Sequence, residues 1–139
     1  MIFEARLGRE IVGGFYDAYK ALGFGLPERM CLNALSLELQ RRGLAVQREV
    51  GVEVSHLGSP IGSFRLDLVV EDRVIVEVKS VKTLGDADVR QILTYLKTSK
   101  FEVGILLNFG PRPEHRRFVF TADRRPNSSI RARSDSFHS

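Results

Sequence analysis

The sequence predicts a mixed α/β domain, in which a central mixed sheet of about five strands is flanked by helices in the order αα-βββ-α-ββ. Two stretches before residue 43 carry apolar residues at helical spacing. Segments of strand length that are rich in Val and Leu follow between residues 44 and 80. A third helical pattern then leads into a nearly continuous apolar run at residues 101–108, which is typical of a strand buried on both faces.

Length and composition predict a single soluble domain. The chain has 139 residues, 43% hydrophobic and 27% charged, with a formal charge of +4 that suits a polyanionic partner. Its single cysteine excludes an internal disulfide, and no apolar run reaches the ~18 residues of a membrane span. Because the N-terminus also lacks a signal-peptide pattern, we expect the protein in the cytoplasm, with no membrane partner.

The first predicted helix covers about residues 8–22. Its apolar stripe consists of Ile11, Phe15, Ala18 and Leu22. Gly13 and Gly14 lie in its middle, where glycine costs about 1 kcal/mol relative to alanine. We therefore interpret them as a point of close packing against a neighbour.

The second predicted helix begins at Pro27 and stops at Gly43. Its apolar stripe consists of Leu32, Leu35 and Leu39. Extended back by one turn, this stripe passes through Glu28, which places that acid at the top of the core-facing side. The alternative is a first-turn acid that only complements the helix dipole. Cys31 is interpreted as a small buried hydrophobe rather than a nucleophile, because nothing places a histidine beside it.

Residues 64–80 form the most informative stretch, because they predict two short strands around the polar turn Glu71–Arg73. A strand at 44–54 and a loop at 56–63 are predicted before it. A three-residue turn, with Asp72 in the left-handed region, makes Asp67 face Glu77. Two opposed carboxylates need compensation, from a divalent cation or in part from Lys79 on the same face. A two-residue turn would instead place the acids on opposite faces.

The remaining elements are a third helix, two strands and a tail. Helix 86–99 has an apolar side, and beside it lie Gln91 and Tyr95, spaced by four, which taken alone fit an ordinary amphipathic flank. A last edge strand is predicted at 116–120. We expect one domain over 1–120 and a disordered basic tail over 121–139, which either adds attraction to phosphate or is simply a solvated terminus.

Read in order, these residues resemble the PD-(D/E)XK nuclease superfamily. The matching features are a helical acid (Glu28), a strand Asp (Asp67), Glu-x-Lys (Glu77 and Lys79) and Gln-x-x-x-Tyr (Gln91 and Tyr95), the last as in the RecB-type branch. Several segments, Gly25-Leu26-Pro27-Glu28 and Leu106-Leu107-Asn108-Phe109-Gly110 among them, look like the small bacterial GxxExxY protein family. The chain departs from that family at Cys31, where the family has tyrosine. It also has Leu66 at the position where the motif PD-(D/E)XK has proline.

The resemblance implies a restriction-endonuclease-like core with a metal site. It implies that Asp67, Glu77 and the backbone carbonyl of Val78 hold Mg²⁺ or Mn²⁺, with Glu28 as a direct or water-mediated ligand. Lys79 would orient the attacking water or stabilise developing charge. The remaining two motif residues, Gln91 and Tyr95, would orient the nucleophile or contact the substrate backbone. The implied partner is nucleic acid, DNA rather than RNA, and a homodimer would give the small domain a second site.

Three functions stay open on the sequence alone. The first is a metal-dependent phosphodiesterase that acts on DNA. The second is a binding or scaffolding module that keeps the fold without turnover. The third takes Asp67, Glu77 and Lys79 as a structural ion-pair ladder in an ordinary α/β domain. A zinc site is not predicted, because the histidines His56, His115 and His138 lack metal-ligand spacing.

Overall fold

The computed structural model describes residues 2–121, 123 and 130–135. The helices are α1 (Ile2–Leu22), α2 (Glu28–Arg41) and α3 (Asp86–Thr98). The strands are β1 (Val46–His56), β2 (Ser59–Val70), β3 (Val74–Lys79), β4 (Val103–Phe109), β5 (Pro113–Val119) and β6 (Ile130–Asp135). The predicted order αα-βββ-α-ββ is confirmed, and β6 is added at its end.

The strands form one mixed sheet in the order β5-β4-β3-β2-β1-β6. All neighbours pair antiparallel except β3 and β4, which are parallel and are connected through α3. A parallel pair needs such a crossover, because its strands run in the same direction. The predicted α/β class, with a mixed sheet flanked by helices, is therefore confirmed.

The alternation of β3 divides the core between the two faces of the sheet. Val74, Val76 and Val78 pack in the cluster that contains the apolar residues of α1 and α2. Ile75 packs on the other side, in the cluster that contains Leu96 of α3. Every residue of β4 is buried, which confirms the strand predicted to be covered on both faces.

The two mid-helix glycines of α1 lie against α2, as the sequence indicates. A Cβ atom at Gly14 would lie 2.8 Å from Cδ2 of Leu39, and one at Gly13 would lie 3.0 Å from Nη1 of Arg42. The Arg42 guanidinium is held by Glu10 and Asp17 of α1 at 2.8 and 2.7 Å. The absence of side chains at these glycines thus lets the two helices approach.

The predicted loop at 56–63 is wrong. Strand β1 continues to His56 and β2 starts at Ser59, so only Leu57 and Gly58 turn the chain, with φ angles of 51° and 80°. Two consecutive left-handed residues match the twist of a hairpin. The loop prediction fails because Pro60 and the glycines Gly58 and Gly62 favour loops locally, whereas an edge region of a sheet tolerates both residue types. Helix α1 also begins earlier than predicted, at Ile2.

The expectation of a disordered tail is not met at residues 130–135. Strand β6 pairs antiparallel with β1 from Gly51↔Asp135 to His56↔Ile130. Apolar and basic residues alternate over 130–133, which is a strand pattern, and the edge of β1 supplies backbone partners. Residues 122, 124–129 and 136–139 lie outside the described part, so the domain boundary at 120 stays a prediction. Across the described ranges, none of the three helices combines the length and the hydropathy that a membrane span needs.

Candidate active site

The turn between β2 and β3 has the predicted three-residue length. Val70 faces Val74, and Glu71 and Asp72 adopt φ angles of 55° and 52°. Regular pairing of the two strands ends at Leu68↔Val76. One step further along the same register, Asp67 lies opposite Glu77, as the sequence predicted for a three-residue turn.

At the position of Asp67 and Glu77, backbone N–H groups donate to carboxylate oxygens instead of to carbonyl oxygens of the neighbouring strand. The backbone N–H of Asp67 donates to Oε2 of Glu77 at 2.9 Å, and the backbone N–H of Val78 donates to Oδ2 of Asp67 at 2.9 Å. One oxygen of each carboxylate is thus fixed by the opposite strand. The second oxygen of each has no protein hydrogen bond in the described part of the chain.

Burial concentrates the negative charge of this pair. Glu77 is only 4% exposed, and its pKa lies well above the usual range, first because of burial and then because of the charge of Asp67. Burial likewise raises the pKa of Asp67, while the Val78 N–H and the charge of Lys79 oppose this rise. The two acids therefore repel each other in surroundings that solvate charge poorly.

Lys79 does not form the ion-pair ladder of the third sequence hypothesis. Its Nζ donates to Oε1 of Gln91 at 2.8 Å and lies 3.8 Å from Oδ1 of Asp88. Among the residues that the structure describes, it makes no ion pair within 4.0 Å with Asp67 or Glu77. The predicted residues Lys79 and Gln91 are brought into direct contact across strand and helix.

Asp88 is a site neighbour that the sequence analysis missed. Its Oδ2 accepts the backbone N–H of Gly85 at 2.9 Å, so it caps the start of α3 while Oδ1 faces Lys79. A signal was present in the sequence, because Asp88 precedes Gln91 by three positions and therefore lies on the same side of the helix.

Tyr95 lies beside the carboxylates and stacks on Phe64 of β2. The ring centroids are 4.3 Å apart and the planes differ by 19°. Burial raises the pKa of Tyr95 to about 12, with smaller contributions from the charges of Glu77 and Asp67, and a hydrogen bond with Gln91 opposes the rise. Tyr95 is consequently a neutral phenol that can donate a hydrogen bond.

Glu28 lies at the first position of α2, immediately after Pro27. It is exposed, not core-facing as expected, because the buried side of α2 begins only at Cys31. Protein atoms around its carboxyl nevertheless raise its pKa by desolvation, and the charges of Lys79, Asp67 and Asp88 also act on it. It therefore borders the site without being buried in it.

Cys31 is fully buried, and burial raises the pKa of its thiol. A buried thiol with a raised pKa holds little thiolate, so it is a poor nucleophile. Its interpretation as a small buried hydrophobe is thus supported.

Asn108 of β4 fixes the chain that leaves the site after Lys79. Its Oδ1 accepts the N–H of Val81 at 3.0 Å, and its Nδ2 donates to the carbonyl of Val81 at 2.9 Å. A Cβ atom at Gly110 would lie 2.7 Å from that same carbonyl, so this position leaves no room for a side chain. The sequence pattern did not indicate this role for the Leu106–Gly110 segment.

The pair Asp67 and Glu77 fits a divalent cation. Carboxylate oxygens are the ligands that Mg²⁺ and Mn²⁺ prefer, and the buried repulsion between these two acids is relieved by positive charge. Within the described residues, no three His, Cys, Asp or Glu side chains are gathered closely enough to form a metal cluster. The third predicted carboxylate, Glu28, is therefore not assembled with the other two, and a cation here would keep several waters.

Comparison with known proteins assigns the chain to a family. The family model described as the PD-(D/E)XK nuclease superfamily matches residues 5–118. No curated protein and no solved structure gives a significant match. The matched range includes both carboxylates, Lys79 and the Gln91–Tyr95 flank, and it covers most of the chain. This protein belongs to the PD-(D/E)XK nuclease superfamily.

Proposed function

We propose that this protein is a Mg²⁺- or Mn²⁺-dependent nuclease that hydrolyses phosphodiester bonds of DNA. Membership of the superfamily supports a nuclease-like function. The observation that carries the proposal is the reciprocal hydrogen bonding of Asp67 and Glu77 across the end of the β2–β3 ladder. Lys79, whose Nζ donates a hydrogen bond to Gln91, lies two residues after Glu77, the more buried of the two acids.

In this proposal Asp67, Glu77 and the backbone carbonyl of Val78 hold the cation. Glu28 is a direct or water-mediated ligand, which is consistent with its exposed place at the rim of the site. When bound, the cation supplies positive charge that acidifies water and offsets the charge of the scissile phosphate.

The other residues act on the substrate and the water. Lys79 is a compact cation whose Nζ, positioned by Gln91, stabilises negative charge that develops on the phosphate. Tyr95 keeps its proton and donates a hydrogen bond to the substrate backbone or to the attacking water. Gln91, which contacts both, sets the relative position of these two donors.

The substrate class follows from charge rather than from base recognition. The chain carries a net charge of +4, and the exposed Arg29 and Arg65 lie near the acidic pair or along the strand that carries it. Arginines on a surface bind phosphates and give no sequence information by themselves. We therefore propose selection for the structure of the DNA. Similarity to the GxxExxY proteins, a cytoplasmic location and a homodimer stay predictions.

The test is cleavage of single-stranded DNA, duplex DNA, forked DNA and RNA, with Mg²⁺, with Mn²⁺ and with a chelator. We expect metal-dependent cleavage of DNA that Glu77→Gln and Lys79→Ala each reduce on the order of 100-fold or more. Lys100→Ala is the matched control, because Lys100 is exposed and pairs with Asp72 away from the site. Absence of metal-dependent cleavage of every substrate, or full activity in Glu77→Gln, would contradict the proposal.

The second candidate is a nucleic-acid-binding module that keeps the fold without turnover. The observation that favours it is that the described residues gather only two carboxylates, not three, at the site. It predicts DNA binding that needs no metal and that Lys79→Ala leaves unchanged, with no cleavage by the wild type.

A further inference from the structure

The β1–β2 hairpin continues well past the point where β2 leaves β3. Strand β2 pairs with β3 only over Leu68–Val70, but it pairs with β1 from Val70 to Ser59. We call residues 51–66, the part of this hairpin beyond Asp67, the hairpin arm. The arm therefore begins next to Asp67, one of the two acids of the site.

The root of the arm is fixed to α3, the helix that carries Gln91 and Tyr95. Phe64 stacks on Tyr95 at 4.3 Å between ring centroids. Val50, Val52 and Leu66 are buried in the same cluster as Leu96 of α3. This packing holds the arm in a defined position relative to the carboxylates.

The tip of the arm exposes large apolar side chains. Leu57 is 82% exposed and Ile61 is 64% exposed, with Pro60 beside them. Both turn residues, Leu57 and Gly58, adopt the left-handed conformation of a tight two-residue turn. The tip thus exposes large apolar side chains close together, and contiguous exposed apolar patches mark interaction sites.

Two features of the tip oppose the addition of another strand. Pro60 lacks a backbone N–H, and the register shifts between Val54 and Ser55. Prolines and bulges are devices that protect sheet edges against pairing with a second chain. The tip is therefore not suited to a second copy of this protein that would extend the sheet.

We infer that the tip of the hairpin arm, formed by Leu57, Pro60 and Ile61, is a wedge that enters nucleic acid where a duplex opens into single strands. Leu, Ile and Pro are among the side chains that proteins insert between base steps to unstack them. Unstacking is cheapest where a duplex already ends or branches, so a wedge selects forks and frayed ends. This inference rests on the proposed nuclease function, since it names the substrate structure that the same site takes.

The length of the arm sets the position of the cut. Ile61 and Asp67 are six residues apart on β2, which spans at most ~20 Å at about 3.3 Å per residue. With about 3.4 Å per step along one strand of a duplex, that distance corresponds to about six nucleotides. Cleavage is therefore expected within about six nucleotides of the junction.

The first experiment needs no catalysis. The full chain, with divalent cations chelated, is titrated with a fork and with a blunt duplex of equal length, both carrying a fluorescent adenine analogue that brightens when it is unstacked. Wild type is expected to bind the fork about tenfold more tightly than the duplex, a preference of ~1.4 kcal/mol, and to brighten the analogue at the junction. The double variant Leu57→Ser with Ile61→Ser is expected to lose both effects.

The matched control is Leu37→Ser, because Leu37 is 67% exposed on α2 and lies outside the arm. Equal affinity of wild type for fork and duplex, or a preference that the tip variant retains, would overturn the inference. Sedimentation of the same variants adds a further check, because a dimer that the tip substitution dissociates would make the tip a contact between copies and would also overturn it.

Cut mapping with Mg²⁺ separates this inference from the proposed function. Junction preference without any cleavage would refute the nuclease proposal and leave the wedge standing. Cleavage that is spread evenly along a fork would refute the wedge and leave the nuclease proposal standing. No binding to either nucleic acid would refute both.

Discussion

Asp67 and Glu77 are tied to each other's strands by backbone N–H donors, yet their charges are left facing one another. Spacing along the two strands predicted that these acids meet only if the turn has three residues, because a hairpin register is set by the length of its turn. The exchange of ladder hydrogen bonds for carboxylate hydrogen bonds was not predictable, since it depends on where β2 leaves β3. The contacts of Lys79 with Asp88, and of Tyr95 with Phe64, likewise require the packing of α3 on the sheet.

The pair Asp67 and Glu77 is expected to contribute less to the stability of the metal-free protein as the pH rises. Folding raises the pKa values of Asp67 and Glu77 above their ordinary values of 3.8 and 4.5. Between those values and the raised ones the folded state binds more protons, so the free energy of unfolding falls with increasing pH. The stabilising contribution of this pair is fully present below the ordinary values, and it is lost once the pH passes the raised folded-state pKa values.

Urea unfolding at about pH 5 and about pH 8 measures this loss through the free energy of unfolding. The double variant Asp67→Asn with Glu77→Gln should lose less stability between these two conditions than wild type does. An equal loss in both proteins would show that the pair is not the source of the pH dependence.

Asp88 is expected to position Lys79 through its carboxylate. Asp88→Asn keeps an oxygen that can accept the Gly85 N–H but removes the charge that faces Nζ, whereas Asp88→Ala removes both. Both variants should lower kcat by about tenfold with little change in KM, because the lysine is less well held. Only the Ala variant should lose about 1 kcal/mol of stability through the helix cap. Unchanged kcat in both variants would exclude this positioning role.

At the scale of the elements, strand β4 and the crossover helix α3 position the site residues as much as the β2–β3 hairpin does. The continuous apolar run of residues 101–108 was sufficient to predict a buried strand, because burial on both faces removes polar positions. The run did not reveal that Asn108, 1% exposed at its end, holds the backbone of Val81 with two hydrogen bonds. A side-chain amide with no periodic signature gives no such information in a single sequence.

Asn108→Ala is expected to destabilise the fold by about 2–5 kcal/mol. The substitution leaves the N–H and the carbonyl of Val81, both part-buried, without their partner, and an unsatisfied group costs roughly 1–3 kcal/mol, less where water can reach it. The free energy of unfolding in urea measures the loss. Asn33→Ala is the control, because Asn33 is exposed on α2 and its loss should cost less than about 0.5 kcal/mol. Similar losses for the two substitutions would contradict the role of Asn108.

At the scale of the whole molecule, the order of elements and the mixed sheet were predictable, because periodicity and the helix-ending glycines are local signals. The length of the hairpin arm and the presence of strand β6 were not predictable from the sequence. In both places the sequence contains Gly, Pro, Ser or Arg, which favour loops locally, and the strands form because a neighbouring edge offers backbone partners. The hairpin arm, with β6 paired along β1 over residues 51–56, is the largest difference between the expected and the observed molecule.

At the same scale, the hairpin arm links the acidic pair to an exposed apolar tip. The hairpin arm begins next to Asp67 on β2. Lys79 lies on β3, the strand that follows the β2–β3 turn. Asp67 and the exposed apolar tip therefore lie on one hairpin, and α3 packs against the root of that hairpin arm.

The central claim is that Asp67 and Glu77 form a metal site, and calorimetric titration of Mg²⁺ and Mn²⁺ tests it most directly. The wild type should bind the cation, and the variant Asp67→Asn with Glu77→Gln should not. A control variant with Asp72→Asn and Glu114→Gln, two acids outside the site, should bind as wild type does. The claim would be contradicted by equal binding in the Asp67/Glu77 variant. It would also be contradicted if the wild type bound no cation even with a short DNA present to supply a phosphate ligand.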